Sequence, residues 1–294
     1  MKPYSFLLVV LISVIICYVF HVATEMHKFK DRRLREKFTP DEIYYSPKLK
    51  TPIPETTLAN CTRSTTPSNM LSQSGEDKIL IEIFPGMCDG RYVELGALDG
   101  LTYSNTYAFN QDMGWKGVLI EPSPTSFSSL RVNRPNEISV VHAAVCKERS
   151  QLHFIDHRNA IAGLWEFSSP TFRKNFWPGV LREHGTPVYC LPMSDILAGS
   201  GQPSPFFADF LSLDVEGGEL QVLQSLNFNV SAFGVVIVEA DGTNSTKDQL
   251  VRDLLEVSGY SYLGPIKQND WFTNDRWGDI YSKLGLSRPV SIKS

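Results

Sequence analysis

Blocks of apolar and polar residues follow one another along most of the chain, and they predict strands and helices in turn. Nearly continuous apolar runs at 117–120, 210–213 and 234–238 are typical of buried strands, because neither face of such a strand meets water. Apolar residues three or four positions apart predict amphipathic helices. The predicted strands lie within 90–97, 117–124, 138–146, 207–218 and 233–241, and the predicted helices within 75–84, 101–114, 125–133, 218–226 and 245–260.

The alternation of strands and helices predicts an α/β fold with a mostly parallel sheet. Strands that are apolar on both faces need helices on both sides of the sheet. In such a sheet, ligands bind beyond the carboxyl ends of the strands, near the point where the strand order reverses. Binding and catalytic residues are therefore expected at the strand ends.

The first residues differ from everything that follows. The stretch 4–22 contains no Lys, Arg, Asp or Glu. At about 1.5 Å per residue a helix of this length spans about 28 Å, close to the hydrocarbon core of a bilayer. A cleaved signal peptide is the competing interpretation, but it needs small residues before a cleavage site, and His21 stands where one belongs. We favour an uncleaved anchor.

The chain therefore divides into a predicted membrane anchor (1–26), a stem or linker rich in Pro, Thr and Ser (27–70) and one globular domain (71–294). Within the domain, the stretch 152–206 departs from the simple alternation, and we interpret it as a variable insertion. The globular part is long enough for one hydrophobic core.

The orientation of the anchor has conflicting signals. Six Lys and Arg residues between 28 and 37 favour a cytoplasmic domain by the positive-inside rule. A short N-terminal tail, one anchor and a Pro/Thr-rich stem instead resemble an ER or Golgi type II protein, with the domain in the lumen. Four cysteines outside the anchor, an even number, and three glycosylation sequons are compatible with that location but carry little weight. We favour the secretory pathway. The relevant positions are Cys61, Cys88, Cys146 and Cys190, and Asn60, Asn229 and Asn244.

Composition excludes several classes of protein. The 294 residues are 42% hydrophobic and 20% charged, which excludes a disordered chain and a disulfide miniprotein. The formal net charge is −4, and no basic groove with interleaved aromatic residues is evident. Together with the anchor, this disfavours a nucleic-acid partner.

Three predicted strands end in residues suited to a nucleotide-like ligand. Gly96 lets the backbone after the first strand pass close to a ligand, although strand-to-helix turns often need Gly for geometry alone. Glu121 ends the second strand, where an acidic residue can accept hydrogen bonds from ribose hydroxyls; a solvated Glu before a turn is an equal alternative. His142 and Ala143 end the third strand, where small residues leave room for a flat base or simply pack tightly.

Carboxylates gather after the last two strands. Asp214, Glu216 and Glu219 follow one strand, and Glu239 ends the next. Such groups repel one another, so one of them is expected to have a raised pKa, or together they hold a cation. A helix cap explains at most two of them. Acid or Gly at four strand ends predicts a site at this edge of the sheet.

In combination, these residues resemble the FkbM family of S-adenosylmethionine-dependent methyltransferases, whose fold is the Rossmann-like class I fold. The chain is also similar to the membrane-anchored animal branch of that family, which includes the Star protein and in which methyltransferase activity is not assured. The resembling stretches are SQSGEDKIL (72–80), GRYVELGALDGLTYSNTYAF (90–109), GWKGVLIEPSP (114–124), VVHAAV (140–145), LSLDVEGGELQVLQSL (211–226) and VVIVEAD (235–241).

The resemblance implies a role for each matching position. The cofactor would be S-adenosyl-L-methionine, with no metal assigned. Glu121 would take the ribose hydroxyls, and the adenine would lie between His142 and Ala143. Asp214 and Glu216 would face the sulfonium and the acceptor, either one serving as the catalytic base. The methionine end of the cofactor would meet Glu94, Gly96, Asp99, Ser104 and Asn105.

The expected reaction is methyl transfer to a hydroxyl of a glycan, a lipid or a small molecule. The insertion is interpreted as an acceptor lid in which Trp165, Trp177, Phe172 and Phe176 are candidates for stacking on a sugar, with plain packing as the alternative. His153, His157 and His184 are weaker candidates for the base. A competing hypothesis keeps the fold without catalysis, as an anchored trafficking factor of the ER, Golgi and endosomes. If the domain is luminal, Cys146–Cys190 and Cys61–Cys88 are the expected disulfides.

Overall fold

The computed structural model describes residues 67–156, 161–240 and 242–276. No helix in these ranges is long and apolar enough to cross a bilayer. The predicted anchor (1–26), most of the predicted stem, His157 and the pairing partner expected for Cys88 lie outside them.

Seven strands form the main sheet, in the order β3-β2-β1-β8-β9-β11-β10. The pairs β1–β2, β2–β3, β1–β8 and β8–β9 are parallel, whereas β11 runs antiparallel to β9 and to β10. The chain leaves β1 in one direction and later returns to β8 on its other side. The strands are β1 (Arg91–Leu95), β2 (Lys116–Ile120), β3 (Ser139–Val141), β8 (Phe206–Leu213), β9 (Ser231–Glu239), β10 (Tyr260–Ile266) and β11 (Asn269–Asn274).

This order places a topological switch between β1 and β8, and it confirms the predicted α/β fold with a mostly parallel sheet. The core beside the switch is aromatic, with ring centroids 4.8 to 6.2 Å apart. Its buried rings belong to Phe84, Tyr92, Phe109, Trp115 and Phe210. Burial of rings this large is a main source of stability for the centre of the sheet.

Seven helices in the described residues accompany the strands, and most begin close to the predicted positions. Ser123 caps α3 by accepting a hydrogen bond from the Ser126 backbone N–H, with Pro124 in the first turn, which is a favoured start. The helices are α1 (Glu76–Ile83), α2 (Tyr107–Met113), α3 (Pro124–Asn133), α4 (Pro170–Phe176), α5 (Met193–Gly199), α6 (Glu219–Gln224) and α7 (Ser245–Val257).

Two predicted elements were wrong in extent. The helix predicted over 101–114 begins only at Tyr107, because residues 104–106 turn their polar groups toward Glu94 instead. The strand predicted over 138–146 breaks at His142 and Ala143, so that β3 joins the main sheet whereas β4 (Ala144–Val145) joins another. Both breaks occur where the chain passes the edge of the sheet.

The predicted insertion contributes most of a second sheet of four strands, in the order β4-β7-β5-β6. Its other strands are β5 (Ser150–Ile155), β6 (Gly163–Leu164) and β7 (Thr186–Leu191). A disulfide joins Cys146 to Cys190, across residues 44 positions apart in the chain, as predicted. The sheet therefore has a covalent link between the end of β4 and β7.

Candidate active site

A cavity of about 290 Å³ lies at the carboxyl ends of the central strands of the main sheet. Leu95 at the end of β1, Ile120 at the end of β2, Asp214 after β8 and Glu239 at the end of β9 all line it. Its position is the topological switch, where an α/β sheet binds its ligand. Its volume is near the lower limit for sites that take small molecules.

Gly96 brings the turn after β1 against the turn after β8. Its φ is 74°, and a Cβ at this position would lie 1.8 Å from the Asp214 carbonyl oxygen. No other residue fits both the left-handed backbone and this contact. The close approach of the two turns forms part of the cavity wall.

Glu94 is buried at the same end of the cavity and is surrounded by donors. Its carboxylate accepts hydrogen bonds from the Ser104 hydroxyl (3.1 Å), the Asn105 backbone N–H (2.8 Å) and the Thr106 hydroxyl (2.5 Å). Burial raises the pKa of Glu94, although Arg134 and these donors act against the shift. Residues 104–106 therefore wrap around a side chain of the sheet before α2 begins.

Arg134 supports this loop from below, and the sequence pattern missed it. Its guanidinium pairs with Glu137 at 2.6 Å and donates to the Gly100 carbonyl (3.0 Å) and the Thr106 hydroxyl (2.9 Å), all in the interior. Burial opposes the charge, yet the nearby acidic groups raise the pKa of Arg134 overall. A lone Arg at the end of a helix usually lies on the surface, so no signal in the sequence indicated its role.

Asn105 presents an unsatisfied acceptor at the cavity. Its amide nitrogen donates to the Ser212 hydroxyl at 2.9 Å, and its Oδ1 is buried with no hydrogen-bond partner in the described structure. Asn105 and Ser212 both line the cavity. Buried acceptors are rarely left unpaired, so this atom is suited to a donor on a ligand.

Glu121 lines the cavity at the end of β2 and is fixed by the backbone. Its carboxylate accepts hydrogen bonds from the Leu98 N–H (2.9 Å) and the Ser123 N–H (2.7 Å). Burial raises the pKa of Glu121 to about 8. The side chain cannot turn away from the cavity without losing both donors.

Three of the predicted cofactor residues do not line the cavity. The Asp99 carboxylate accepts from the backbone N–H groups of Leu101 and Thr102, so it caps a turn. Ser104 lies behind Glu94, to which its hydroxyl donates. The His142 ring stacks on Phe127 at 4.7 Å, with its Nε2 3.1 Å from the Pro122 carbonyl. The predicted residues that do line the cavity are Glu94, Gly96, Asn105, Glu121, Ala143, Asp214 and Glu216.

Three half-buried carboxylates, those of Asp214, Glu216 and Glu239, converge at one side of the cavity and form its acidic rim. Each of Asp214, Glu216 and Glu239 has an oxygen within 4.8 Å of the others, a separation that would also suit a hard cation. Burial and the charge of Glu219 raise the pKa of Asp214 to about 6. Glu219 itself does not line the cavity, because it pairs with Lys247 at 2.6 Å.

The remaining wall comes from the insertion and is apolar. Gly163 approaches the acidic rim so closely that a Cβ there would lie 3.1 Å from the Glu216 Cβ. Glu216 has a left-handed backbone, with φ at 54°, which is unusual for this residue type. The apolar residues of this wall are Phe154, Ile161, Ala162, Leu164, Phe167, Phe172 and Phe176.

The predicted tryptophans, and His153 and His184 among the predicted histidines, lie away from the cavity. Trp165 stacks on Trp177 at 6.3 Å, and the Arg173 guanidinium covers it at 4.5 Å, so neither indole lines the cavity. His153 pairs with Glu166 at 2.9 Å, and the His184 Nδ1 accepts from the Leu181 N–H. Phe172 and Phe176 are the predicted aromatic residues that do line it. Gln73, Tyr103 and Gln268 also line it, with no signal in the sequence to mark them.

The model of the Methyltransferase FkbM domain matches residues 94–262, which is more than half of the chain. This range begins at Glu94 and includes the ends of all four strands around the cavity. No curated protein matches the chain.

Among solved structures, the chain is similar to methyltransferase FkbM from Methylobacillus flagellatus KT, with 13% identity and a TM-score of 0.38 over 63% of this chain and 43% of that one. It thus spans less than half of that protein. It is also similar to the O-methyltransferase from Bacillus cereus in complex with SAH (16% identity, TM-score 0.35, 70% of this chain and 81% of that one). A third similar structure is the precorrin-6y C5,15-methyltransferase from Geobacter metallireducens GS-15 (12% identity, TM-score 0.36, 75% of this chain and 97% of that one).

Proposed function

Because the chain belongs to the FkbM methyltransferase family, we propose that it transfers a methyl group from S-adenosylmethionine to a hydroxyl, with Asp214 as the base. S-adenosylmethionine is the cofactor that the family indicates. The observation that carries the proposal is the cavity at the topological switch, lined by Glu94, Asn105, Glu121 and Asp214.

The residues around the cavity suit this cofactor. The unpaired Asn105 Oδ1 and the Glu94 carboxylate would receive the ammonium group of its methionine part. Glu121, held by two backbone donors, would accept hydrogen bonds from the ribose hydroxyls. Ala143 would leave room for the adenine. When bound, S-adenosylmethionine supplies an electrophilic methyl group on a sulfonium.

The protein's own contribution is then to position the acceptor and remove its proton. Alignment of two reactants is the larger part of catalysis for such a displacement. The Asp214 carboxylate would accept the proton of the acceptor hydroxyl as the new bond forms. Its pKa of about 6 leaves it ionised at neutral pH while keeping it a stronger base than an ordinary Asp. Glu216 and Glu239 would add negative charge around the Asp214 carboxylate.

The test is titration calorimetry of the full-length chain with S-adenosylhomocysteine, the product form of the cofactor. We expect a dissociation constant in the micromolar range. Glu82→Ala, an exposed change on α1 away from the cavity, is the control and should bind equally well. A folded chain that does not bind would contradict the proposal and favour the non-catalytic trafficking hypothesis.

We also propose that the chain is anchored in a membrane of the secretory pathway with its domain in the lumen. The Cys146–Cys190 disulfide supports this location, because disulfides persist in oxidising compartments. The basic residues between 28 and 37 argue the other way. Protease treatment of intact microsomes should leave the domain uncut, and digestion without detergent would contradict the luminal orientation.

A further inference from the structure

We propose that the insertion wall is the acceptor-binding surface and that the acceptor is an uncharged alcohol with an aliphatic or aryl body. Here the insertion wall means Phe154, Ile161, Ala162, Gly163, Leu164, Phe167, Phe172 and Phe176. The inference rests on the proposed function, and it chooses among the glycan, lipid and small-molecule acceptors that the sequence leaves open.

The insertion wall faces the same cavity as the acidic rim. None of its eight residues has a polar side chain. A glycan acceptor needs side chains that donate and accept hydrogen bonds around each hydroxyl, and the described residues of this wall offer none. An aliphatic chain or an aromatic ring needs only apolar surface to exclude water. The composition of the wall therefore favours an apolar acceptor body.

Two phenylalanines at the mouth of the cavity give the clearest sign that the insertion wall binds a ligand. Phe172 and Phe176 lie one helical turn apart on α4, with ring centroids 4.8 Å apart. Phe172 is 4% exposed and belongs to the core, whereas Phe176 is 37% exposed although it lines the cavity. An apolar group entering the cavity would cover the exposed part of the Phe176 ring.

The charges around the cavity exclude an anionic acceptor. Five carboxylate residues line it, and no Lys, Arg or His is among its described lining residues. Lys247, the nearby cation, is already paired with Glu219. A phosphate, sulfate or carboxylate on the acceptor would be repelled by the Asp214 carboxylate and its two acidic neighbours. The acidic residues are Glu94, Glu121, Asp214, Glu216 and Glu239, of which Glu121, with its pKa raised to about 8, is largely protonated at neutral pH.

The experiment measures binding of a series of linear alcohols to the full-length chain in the presence of S-adenosylhomocysteine. Radiolabelled 1-butanol, 1-hexanol and 1-octanol are compared by equilibrium dialysis. Each methylene that becomes buried should tighten binding about fourfold. Octanoate should bind at least tenfold more weakly than 1-octanol, and methyl glucoside should not bind measurably.

Two matched variants locate the site. Phe176→Ala should weaken 1-octanol binding about tenfold and leave 1-butanol within about twofold, because a short alcohol does not reach the mouth. Leu181→Ala removes another exposed apolar side chain of the insertion, one that does not line the cavity, and it should change neither. Non-specific partition is the same in all three chains and cancels in the comparison.

Each other outcome has a distinct meaning. An equal affinity for all three alcohols, or tighter binding of octanoate or of methyl glucoside than of 1-octanol, overturns the inference. The same holds if Phe176→Ala and Leu181→Ala behave alike. If the unchanged chain does not bind S-adenosylhomocysteine but its affinity still rises from 1-butanol to 1-octanol, the result contradicts the proposed function instead, because it leaves an apolar site without a cofactor.

Discussion

The two walls of the cavity are built in opposite ways. The main-sheet wall consists of Glu94, Asn105, Glu121 and Asp214, and on it the Glu94 and Glu121 carboxylates are fixed by backbone N–H donors. On the insertion wall the side chains are apolar, and the contacts depend only on shape. This difference indicates that the main-sheet wall suits a single ligand with fixed polar groups. By our proposal, the insertion wall would select its ligand by size and hydrophobicity.

The walls also differ in what holds them. The main-sheet wall depends on parallel pairing of β1 with β2 and β8, at the centre of seven strands. The insertion wall depends on a small sheet of four strands closed by the Cys146–Cys190 disulfide. If this division is correct, changes to one wall should affect the binding of one ligand and spare the other.

The largest expected effect is on the rate of methyl transfer, when Asp214 in the acidic rim is replaced. Asp214→Asn should lower the rate of methyl transfer by about 10²- to 10⁴-fold, because a general base contributes that much. S-adenosylhomocysteine affinity should remain within about threefold. The measurements are single-turnover transfer to 1-octanol and calorimetry on the same preparation.

The pH dependence is the control for this variant. Burial and Glu219 raise the pKa of Asp214 to about 6. A base is active when ionised, so the wild-type rate should fall about tenfold per pH unit below about pH 6, and Asp214→Asn should lose that dependence. Full activity of Asp214→Asn would show that Asp214 is not the base. Loss of wild-type activity with EDTA and recovery with Mg²⁺ would instead make the carboxylates cation ligands.

The second effect separates the two walls. Replacing both cysteines, Cys146→Ser and Cys190→Ser, opens a loop across 44 positions. The chain-entropy relation gives a loss of about 4 kcal/mol in the free energy of unfolding, measurable by urea denaturation. S-adenosylhomocysteine affinity should stay unchanged while 1-octanol affinity falls. The single change Cys146→Ser should give the same result, and an equal loss of both affinities would show that the walls are one unit.

The third effect compares a glycine from each region. Gly96→Ala places a methyl group against the Asp214 carbonyl in a left-handed backbone, so we expect a loss of about 3 kcal/mol or more in unfolding free energy. Gly179 in the insertion has a φ of 78° with nothing within 4 Å of an added Cβ. Gly179→Ala should therefore cost only about 1 kcal/mol. Equal losses would mean that backbone conformation, rather than the contact, dominates at Gly96.

The main-sheet wall was largely predictable from the sequence, and the reason is geometric. Continuous apolar runs such as 117–120 and 234–238 are typical of strands covered on both faces. Since the carboxyl ends of parallel strands meet at one edge, Glu121, Asp214 and Glu239 had to come together. Local periodicity and strand direction were enough for that conclusion.

The directions of loop side chains were not predictable in this way. Asp99, Ser104 and His142 follow strand ends as the predicted ligands do, but turns direct them into a cap, a buried network and a stack on Phe127. Those directions depend on contacts with distant residues such as Arg134. The insertion wall was predicted only in part, as a lid that includes Phe172 and Phe176, because pairing of β4 with β7 joins residues far apart in sequence.

The smallest effect examines the main-sheet wall alone. Glu121→Ala removes the carboxylate proposed for the ribose hydroxyls and leaves the Leu98 and Ser123 N–H groups to water. We expect S-adenosylhomocysteine affinity to fall about tenfold, roughly the effect of one hydrogen bond, while the affinity for 1-octanol stays within twofold. Calorimetry with each ligand on the same chain measures both, and Glu82→Ala is the matched control. Unchanged cofactor affinity would remove the ribose role from Glu121. A parallel loss of 1-octanol binding would show that the polar and apolar walls do not act separately, because a change confined to the cofactor side would then have altered the acceptor side as well.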